Sequence, residues 1–427
     1  MRTILGGALG KIPRPTPAMA VALAALLVIV VGGTASAVQA ADPRFAPPKN
    51  YDNPGKGSPT EIVRGDFDED AVADLVLGVS SSQRHLSLFR GNRDGTFDQP
   101  RRRFGLVRRP LMVLLRSDLN GDGHLDLAFS AGESLSSAGS VVVLRGRGDG
   151  TFKKPKTFPS GGNAPIGLVA VDVDGDGDKD LAVANTVSGA SKDRDGNVTV
   201  PRDGNVTVLR NNGRGTFKTG QTIEPPSPPS SRVSPVFLAA RDLDGDGDPD
   251  LAATAVISTQ AGDTGKVLVL KNEKGRYVQG QSVAVGAEPQ EVIISRLDGD
   301  RKPDLATANA FSNDVSVCLG RGDGTFRNAG EFSSGGPGSS SLTAADFNGD
   351  GKKDLAVANP GPPPPSPNVG VLTGRGDGTF KKPETFEAGK RPAGIVKGWF
   401  DRDRRPDLAV ANGLSKNLSV LINTTPR

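Results

Sequence analysis

Seven times in this 427-residue chain, at intervals mostly close to fifty, an acidic nine-residue stretch leads into an apolar run. One copy reads Asp172-Val173-Asp174-Gly175-Asp176-Gly177-Asp178-Lys179-Asp180 and continues as Leu181-Ala182-Val183-Ala184. The copies begin at residues 66, 118, 172, 242, 296, 346 and 399. A repeat of this size means small units that bury their apolar faces only against one another. That constraint outranks length, which alone would suggest two or three domains.

Carboxylates at positions one, three, five and nine, with glycine at four and six, can converge on one centre. Without a counter-ion they would repel one another, and a hard cation removes that cost. Calcium fits best, because it takes roughly six to eight oxygens in a flexible shell that can include a backbone carbonyl. An EF-hand is excluded, since position twelve would have to be a bidentate glutamate. Here it is Leu77, Phe129, Val183, Ala253 or Val357.

The expected ligands are Asp66, Asp68, Asp70 and Asp74, then Asp118, Asn120, Asp122 and Asp126, then Asp172, Asp174, Asp176 and Asp180. Asp242, Asp244, Asp246 and Asp250 follow, and finally Asp346, Asn348, Asp350 and Asp354. His124, at position seven, would offer its carbonyl. Two loops begin with Arg296 and Trp399 and keep only Asp298, Asp300 and Asp304, and Asp401, Asp403 and Asp407. Arg301, Arg402, Arg404 and Arg405 crowd them. These two are expected to hold metal weakly or not at all, with Arg296 supplying positive charge instead. The expectation is about five calcium ions per chain.

Each repeat reads as four short strands. Pro165–Val171 precedes the acidic loop, Leu181–Ala184 follows it, and a third strand such as Asn205–Leu209 comes after a connection of variable length. A Gly-Asp-Gly turn then opens a fourth beginning Thr-Phe, as at Thr151-Phe152; Asp-Gly between apolar runs is hairpin chemistry. Four antiparallel strands repeated seven times predict an all-β, seven-bladed β-propeller. The last repeat stops at Leu418–Ile422 with no fourth strand behind it. Phe45–Tyr51 matches the aromatic, proline, aromatic spacing of Phe152–Phe158, so an N-terminal strand is expected to complete the last blade.

Residues 1–40 are expected to be a signal peptide: a basic start, the apolar run Ala18–Val31, then small residues at Ala35–Ala37 and Val38–Ala40. That run is short for a membrane span, so residues 41–427 are read as one secreted propeller. The lone Cys318 permits no internal disulfide, which leaves metal loops as the source of rigidity.

The units Asp-x-Asp-x-Asp-Gly-x-x-Asp-Leu and Gly-x-Gly-Asp-Gly-Thr-Phe resemble FG-GAP or VCBS-type repeats over about Asp42–Thr425. That resemblance implies a propeller like that of integrin α chains, with calcium in the loops. It leaves the ligand open, because such folds host adhesion, sugar binding and domains appended to enzymes.

Alternating strand direction puts the acidic loops and the Gly-Asp-Gly turns on one face, nearly uniform between repeats. The irregular connections fall on the other: the duplicated segment at Arg194–Val200 and Arg202–Val208, the Pro-rich stretches at Pro225–Pro229 and Pro360–Pro367, and Ala131–Gly139. Function concentrates on variable loops held by a rigid scaffold, so the ligand face is expected opposite the acidic loops. Enzymatic activity is not expected, since neither His85 nor His124 has a nucleophile partner and no phosphate or zinc motif occurs. The Arg-Gly-Asp tripeptides at Arg147–Asp149, Arg321–Asp323 and Arg375–Asp377 read as turn chemistry.

The formal net charge of +4 includes the leader's positive residues, so the remainder is nearly neutral. Bound calcium would make it distinctly cationic, with Arg101–Arg103, Arg108 and Arg109 as the densest cluster, and would favour anionic partners. The reading is a monomeric extracellular binding or adhesion module, for a protein or an anionic polysaccharide, with structural calcium. The alternatives are a polysaccharide-binding lectin and, behind it, an extracellular hydrolase or lyase. A stacking lectin is disfavoured, because Tyr51 and Tyr277 fall on the repeated fourth-strand position and Trp399 in an acidic loop. Nucleic acid is not expected as a partner of a secreted chain without basic residues interleaved with aromatics, and no stable membrane span is expected after cleavage.

Overall fold

The computed structural model describes residues 41–426, except 54–56, 81–84, 101–102, 106–110, 133–136, 188–190, 193–197, 200–202, 228–230 and 363–368. The leader and most of the Arg101–Arg109 cluster lie outside the described residues, as do parts of the duplicated segment and of the Pro-rich stretches. Among the described residues there is no helix, and every strand pairing is antiparallel.

The strands appear where the alternation of Leu, Val and Ala places them. The first sheet runs Ser58–Gly65, Asp74–Ser80, His85–Phe89 and Arg103–Gly105. The fourth and fifth are Arg232–Arg241 to Tyr277–Val285 and Pro289–Ser295 to Phe326–Ser333, four strands each. The sixth runs Ser341–Ala345 to Glu384–Phe386. The last takes Pro392–Gly398, Asp407–Asn412 and Asn417–Leu421 and adds Lys49–Asp52 at its edge. Tyr51 stands opposite Leu418 there, and Phe45 forms a bridge with Asn423.

The second and third repeats depart from the expected separate sheets. Lys156–Val171 is one strand of 16 residues that pairs with Ala138–Leu144 through its first half and with Asp180–Val187 through its second. The result is a seven-stranded sheet. Its cause is local: Asn163 pairs with Ala138 on one side and with Val187 on the other, while Gly161 and Ala164 take positive φ of 82° and 46° beside it. The second copy of the duplicated segment enters the sheet. Asn205–Asn211 is the third strand of its repeat, while Ser191–Lys192 pairs with Val198–Thr199 in a separate two-stranded excursion.

Neighbouring sheets pack face to face. In Asp180–Val187, Leu181 and Val183 pack toward the second repeat while Ala182 packs toward the fourth sheet. Asp407–Asn412 repeats this, with Leu408 and Val410 on the sixth sheet and Ala409 and Ala411 on the first. Bulk on one face and alanine on the other let these two strands sit buried between two sheets at close-packed density. The first strands also adjoin in sequence order, Ser58–Gly65 against Leu111–Ser117 and so on to Pro392–Gly398, which lies against Ser58–Gly65 again.

Candidate metal centres and binding surfaces

In the acidic loops the first aspartate folds the chain around itself. Asp118 accepts the amides of Gly121 and Gly123, both at 2.8 Å. Asp172, Asp242 and Asp346 do the same with the glycines at positions four and six. Those glycines have positive φ, from 69° to 95°, which a Cβ would strain. Loops without them keep the shape: Glu69 and Ala71, and Arg402 and Arg404, adopt φ between 60° and 68°.

Oxygen atoms of Asp66, Asp68 and Asp70 lie within 4.8 Å of one another, and so do those of Asp172, Asp174 and Asp176, and of Asp242, Asp244 and Asp246. An all-oxygen, largely carboxylate set of this size fits a hard divalent cation. The Asn120 and Asn348 loops share the turn geometry with an amide at position three. The fifth loop departs from expectation. Asp298, Asp300 and Asp304 also gather within 4.8 Å, while Arg296 is exposed and forms no ion pair with them among the described residues. Lys302 pairs with Asp300 instead, at 3.3 Å.

Position nine does something the spacing did not reveal. Asp74 accepts the amides of Phe67 and Gly91 at 3.0 and 2.9 Å, tying loop position two to the end of the third strand. The same pair of hydrogen bonds recurs at Asp126, Asp180, Asp250, Asp304, Asp354 and Asp407. All seven carboxylates are buried. Burial pushes Asp74 and Asp354 up to about 7 and Asp250 to about 6, against the opposing pull of the amides. Asp407, in a loop without the first ligand, is also pushed up to about 7. These residues are structural clamps whatever else they bind.

Cations approach position three, another feature missed in the sequence. Arg90 meets Asp68 at 3.1 Å, Lys271 meets Asp244 at 2.8 Å, and Arg210 spans Asp174 and Asp180 at 3.0 and 2.8 Å. Each stands just before the residue whose amide the clamp holds, so alignment of the repeats on that residue would have found them. His124 Nδ1 bonds Glu69 of the preceding loop, which raises its pKa. The Gly-Asp-Gly turns are closed on themselves. Asp149, Asp323 and Asp377 each bond the amide and hydroxyl of the threonine two residues on, which holds their carboxyls low.

The irregular face carries a cleft of about 730 Å³ between the last two sheets. Asn359 to Pro362 and Gly338 form one wall, while Glu387 to Arg391, Leu414, Ser415 and Asn50 form the other. Lys390 and Arg391 are exposed on it, and the Lys390 amide bonds Ser415 Oγ at 2.9 Å. Phe311, in the turn between Asp304–Asn309 and Asp314–Gly320 on the same face, is 73% exposed. A second cavity, of about 590 Å³, is lined by residues of all the first strands. Glu61 and Glu291 face it. Glu61 accepts the Leu114 amide of the next sheet, and Glu291 accepts Ser341 Oγ at 2.6 Å and the Leu342 amide at 3.0 Å. Burial raises both carboxyls, and Glu291 adds to the rise at Glu61.

Consecutive antiparallel sheets, most of them four-stranded, with aspartate loops at one end define an all-β, propeller-like repeat protein. FG-GAP-like repeats match residues 118–183, 193–253 and 296–357, and an FG-GAP repeat matches 338–378. The chain thus carries repeats of the FG-GAP kind over these segments. No curated protein matches it in sequence. Among solved structures, BBS1N in complex with ARL6DN is similar at TM-score 0.54 and 14% identity, over 90% of this chain and 97% of that one. A Bacteroides fragilis protein described as a candidate 6-phosphogluconolactonase gives 0.55 and 15%, over 87% and 95%. A Lactobacillus plantarum protein gives 0.53 and 12%, over 79% and 86%. At these identities the likeness is one of fold.

Proposed function

We propose that this chain is a secreted, calcium-stabilised, seven-bladed β-propeller that binds an extracellular partner through the face opposite its aspartate loops. The observation that carries the reading is the cleft on that face, lined by Lys390 and Arg391 and walled by connections that differ between repeats. Seven blades follow from counting Lys156–Val171 in two four-stranded units, and the cyclic adjacency of the first strands supports a closed ring. Calcium has the loop geometry in its favour, and secretion the leader-like first forty residues. The cationic cleft suits an acidic polysaccharide or an acidic protein surface.

A glycan array probed with calcium-loaded protein tests this. Binding to acidic glycans that Lys390→Glu with Arg391→Glu abolishes is the expected result; binding unaffected by those changes would move the site elsewhere. A second reading, hydrolysis inside the cavity, draws on the Glu61 and Glu291 pair and on the candidate lactonase of the same fold. It requires turnover of a sugar lactone that Glu61→Gln removes.

A further inference from the structure

We propose that Arg64, Arg116 and Lys397 form a site for a small oxyanion, with the chemistry of a sulfate or carboxylate, at the aspartate-loop end of the central cavity. The site is independent of the cleft, which lies on the opposite face.

The three residues occupy the same place in their repeats, two positions before loop residues 66, 118 and 399. Their strands, Ser58–Gly65, Leu111–Ser117 and Pro392–Gly398, pack side by side, and all three side chains line the same cavity. The other four repeats have Ala170, Ala240, Ile294 and Ala344 at this place, so the positive charge is confined to one sector of the wall.

Among the described residues none of the three makes an ion pair with a carboxylate. The two carboxylates that share the cavity are engaged elsewhere, Glu61 on the Leu114 amide and Glu291 on Ser341 and Leu342. Lys397 directs one donor to the Ala344 carbonyl and retains others. Arg64 lies over the Trp399 ring at 5.4 Å, which orients its guanidinium, and its Nε is buried without a hydrogen-bond partner. Three adjacent cations with no anion among them repel one another, and a buried donor without an acceptor is costly. An oxyanion relieves both at once, since guanidinium forks match its paired oxygens.

The seventh repeat gives up its first loop ligand to Trp399, which stands 45% exposed beside Arg64. Arg64 has one indole face, so a flat or ring-bearing group on the anion would have apolar surface beside it. An acidic sugar presents such a ring, whereas free sulfate presents only the charge.

Trp399 is the chain's single tryptophan, so its fluorescence reports on this site alone. Calcium-loaded protein is titrated with sodium sulfate and, separately, sodium glucuronate, with ionic strength held constant by sodium chloride. The expected result is a saturable change in emission whose half-saturation rises at least about tenfold in Arg116→Gln and in Lys397→Gln. Tighter binding of glucuronate would assign the site to an acidic sugar, and tighter binding of sulfate to a free inorganic anion. Should a glutamine variant fail to fold, Arg116→Lys keeps the charge and loses the fork, and is expected to weaken binding as well. A change that never saturates, that chloride alone reproduces, or that all the variants share with the parent would overturn the proposal.

Discussion

Asp407 accepts the backbone amide of Asn423 at 2.8 Å, joining the aspartate loop of the last sheet to the end of its third strand. Its other oxygen takes the Phe400 amide at 2.7 Å. Because this loop begins with Trp399, the clamp can be tested apart from metal. Asp407→Ala should cost about 3 kcal/mol, since two amides lose their acceptor in a buried place. Urea unfolding in excess chelator measures it. A loss under about 1 kcal/mol would mean that water replaces the carboxylate.

Acidity should act in opposite directions with and without calcium. In the metal-free protein Asp74, Asp354 and Asp407 are raised to about 7 and Asp250 to about 6. The folded state therefore holds these protons more tightly than the unfolded chain does. The stability they contribute is complete below the unfolded value, near 4, and is lost as pH rises through about 6 to 7. Acidifying the chelated protein from pH 8 to about 5 should raise its melting midpoint. With calcium bound, the loop carboxylates must stay ionised, and the same acidification should lower it. Parallel slopes in the two conditions would contradict calcium at these carboxylates.

Removing calcium should destabilise the protein as a whole. A site held at a hundredfold excess over its dissociation constant contributes about 2.7 kcal/mol. Melting with and without chelator reads the effect, and an unchanged midpoint would end the calcium reading. Metal analysis of dialysed protein should return about five ions. A sixth would belong to the Asp298, Asp300 and Asp304 cluster, and two or fewer would undo the loops as sites.

The N-terminal strand should matter far beyond its length. Tyr51 is buried, stands opposite Leu418, packs edge-on against Phe97 of the first sheet and bonds the Phe97 amide through its hydroxyl at 3.2 Å. Tyr51→Ala should cost about 3–5 kcal/mol. Deleting residues 42–52 would also bare the edge of Asn417–Leu421, and exposed edges invite aggregation. Soluble yield and size-exclusion profile are the measurements. A deletion as soluble as the parent would reduce this segment to a tail.

Much of the fold was legible because side chains with a period of two write their burial into the sequence. Leu181-Ala182-Val183-Ala184 could only be a strand with two buried faces, and the fit of Phe45–Tyr51 to Phe152–Phe158 located the partner of the last repeat. What stayed hidden depends on contacts across strands. Asp74 and its equivalents looked like one more loop acid, because the amides they hold at Gly91 or Asn423 lie 16 to 31 residues away. Arg210 meets Asp174 and Asp180 only because the third strand carries it back over the loop, a contact no local spacing shows. Glu61 and Glu291 went unremarked because a carboxylate inside a strand shows no sign of the neighbouring sheet that receives it. The continuous Lys156–Val171 strand was not foreseen, because Gly161 and Gly162 have no side chains whose alternation would mark a strand.

The Ala46 amide bonds the Ile422 carbonyl at 2.8 Å, and the Thr424 amide bonds that of Arg44 at the same distance. Segments nearly the whole sequence apart thus lie side by side, near enough for a short peptide to join them. The chain could then be reopened at an exposed turn such as Thr259–Gly262 without losing a strand from any sheet. Such circular permutants would share one set of contacts and differ in the pair of strands that must meet last. Their folding rates, compared at equal stability, would show which junction between sheets limits assembly.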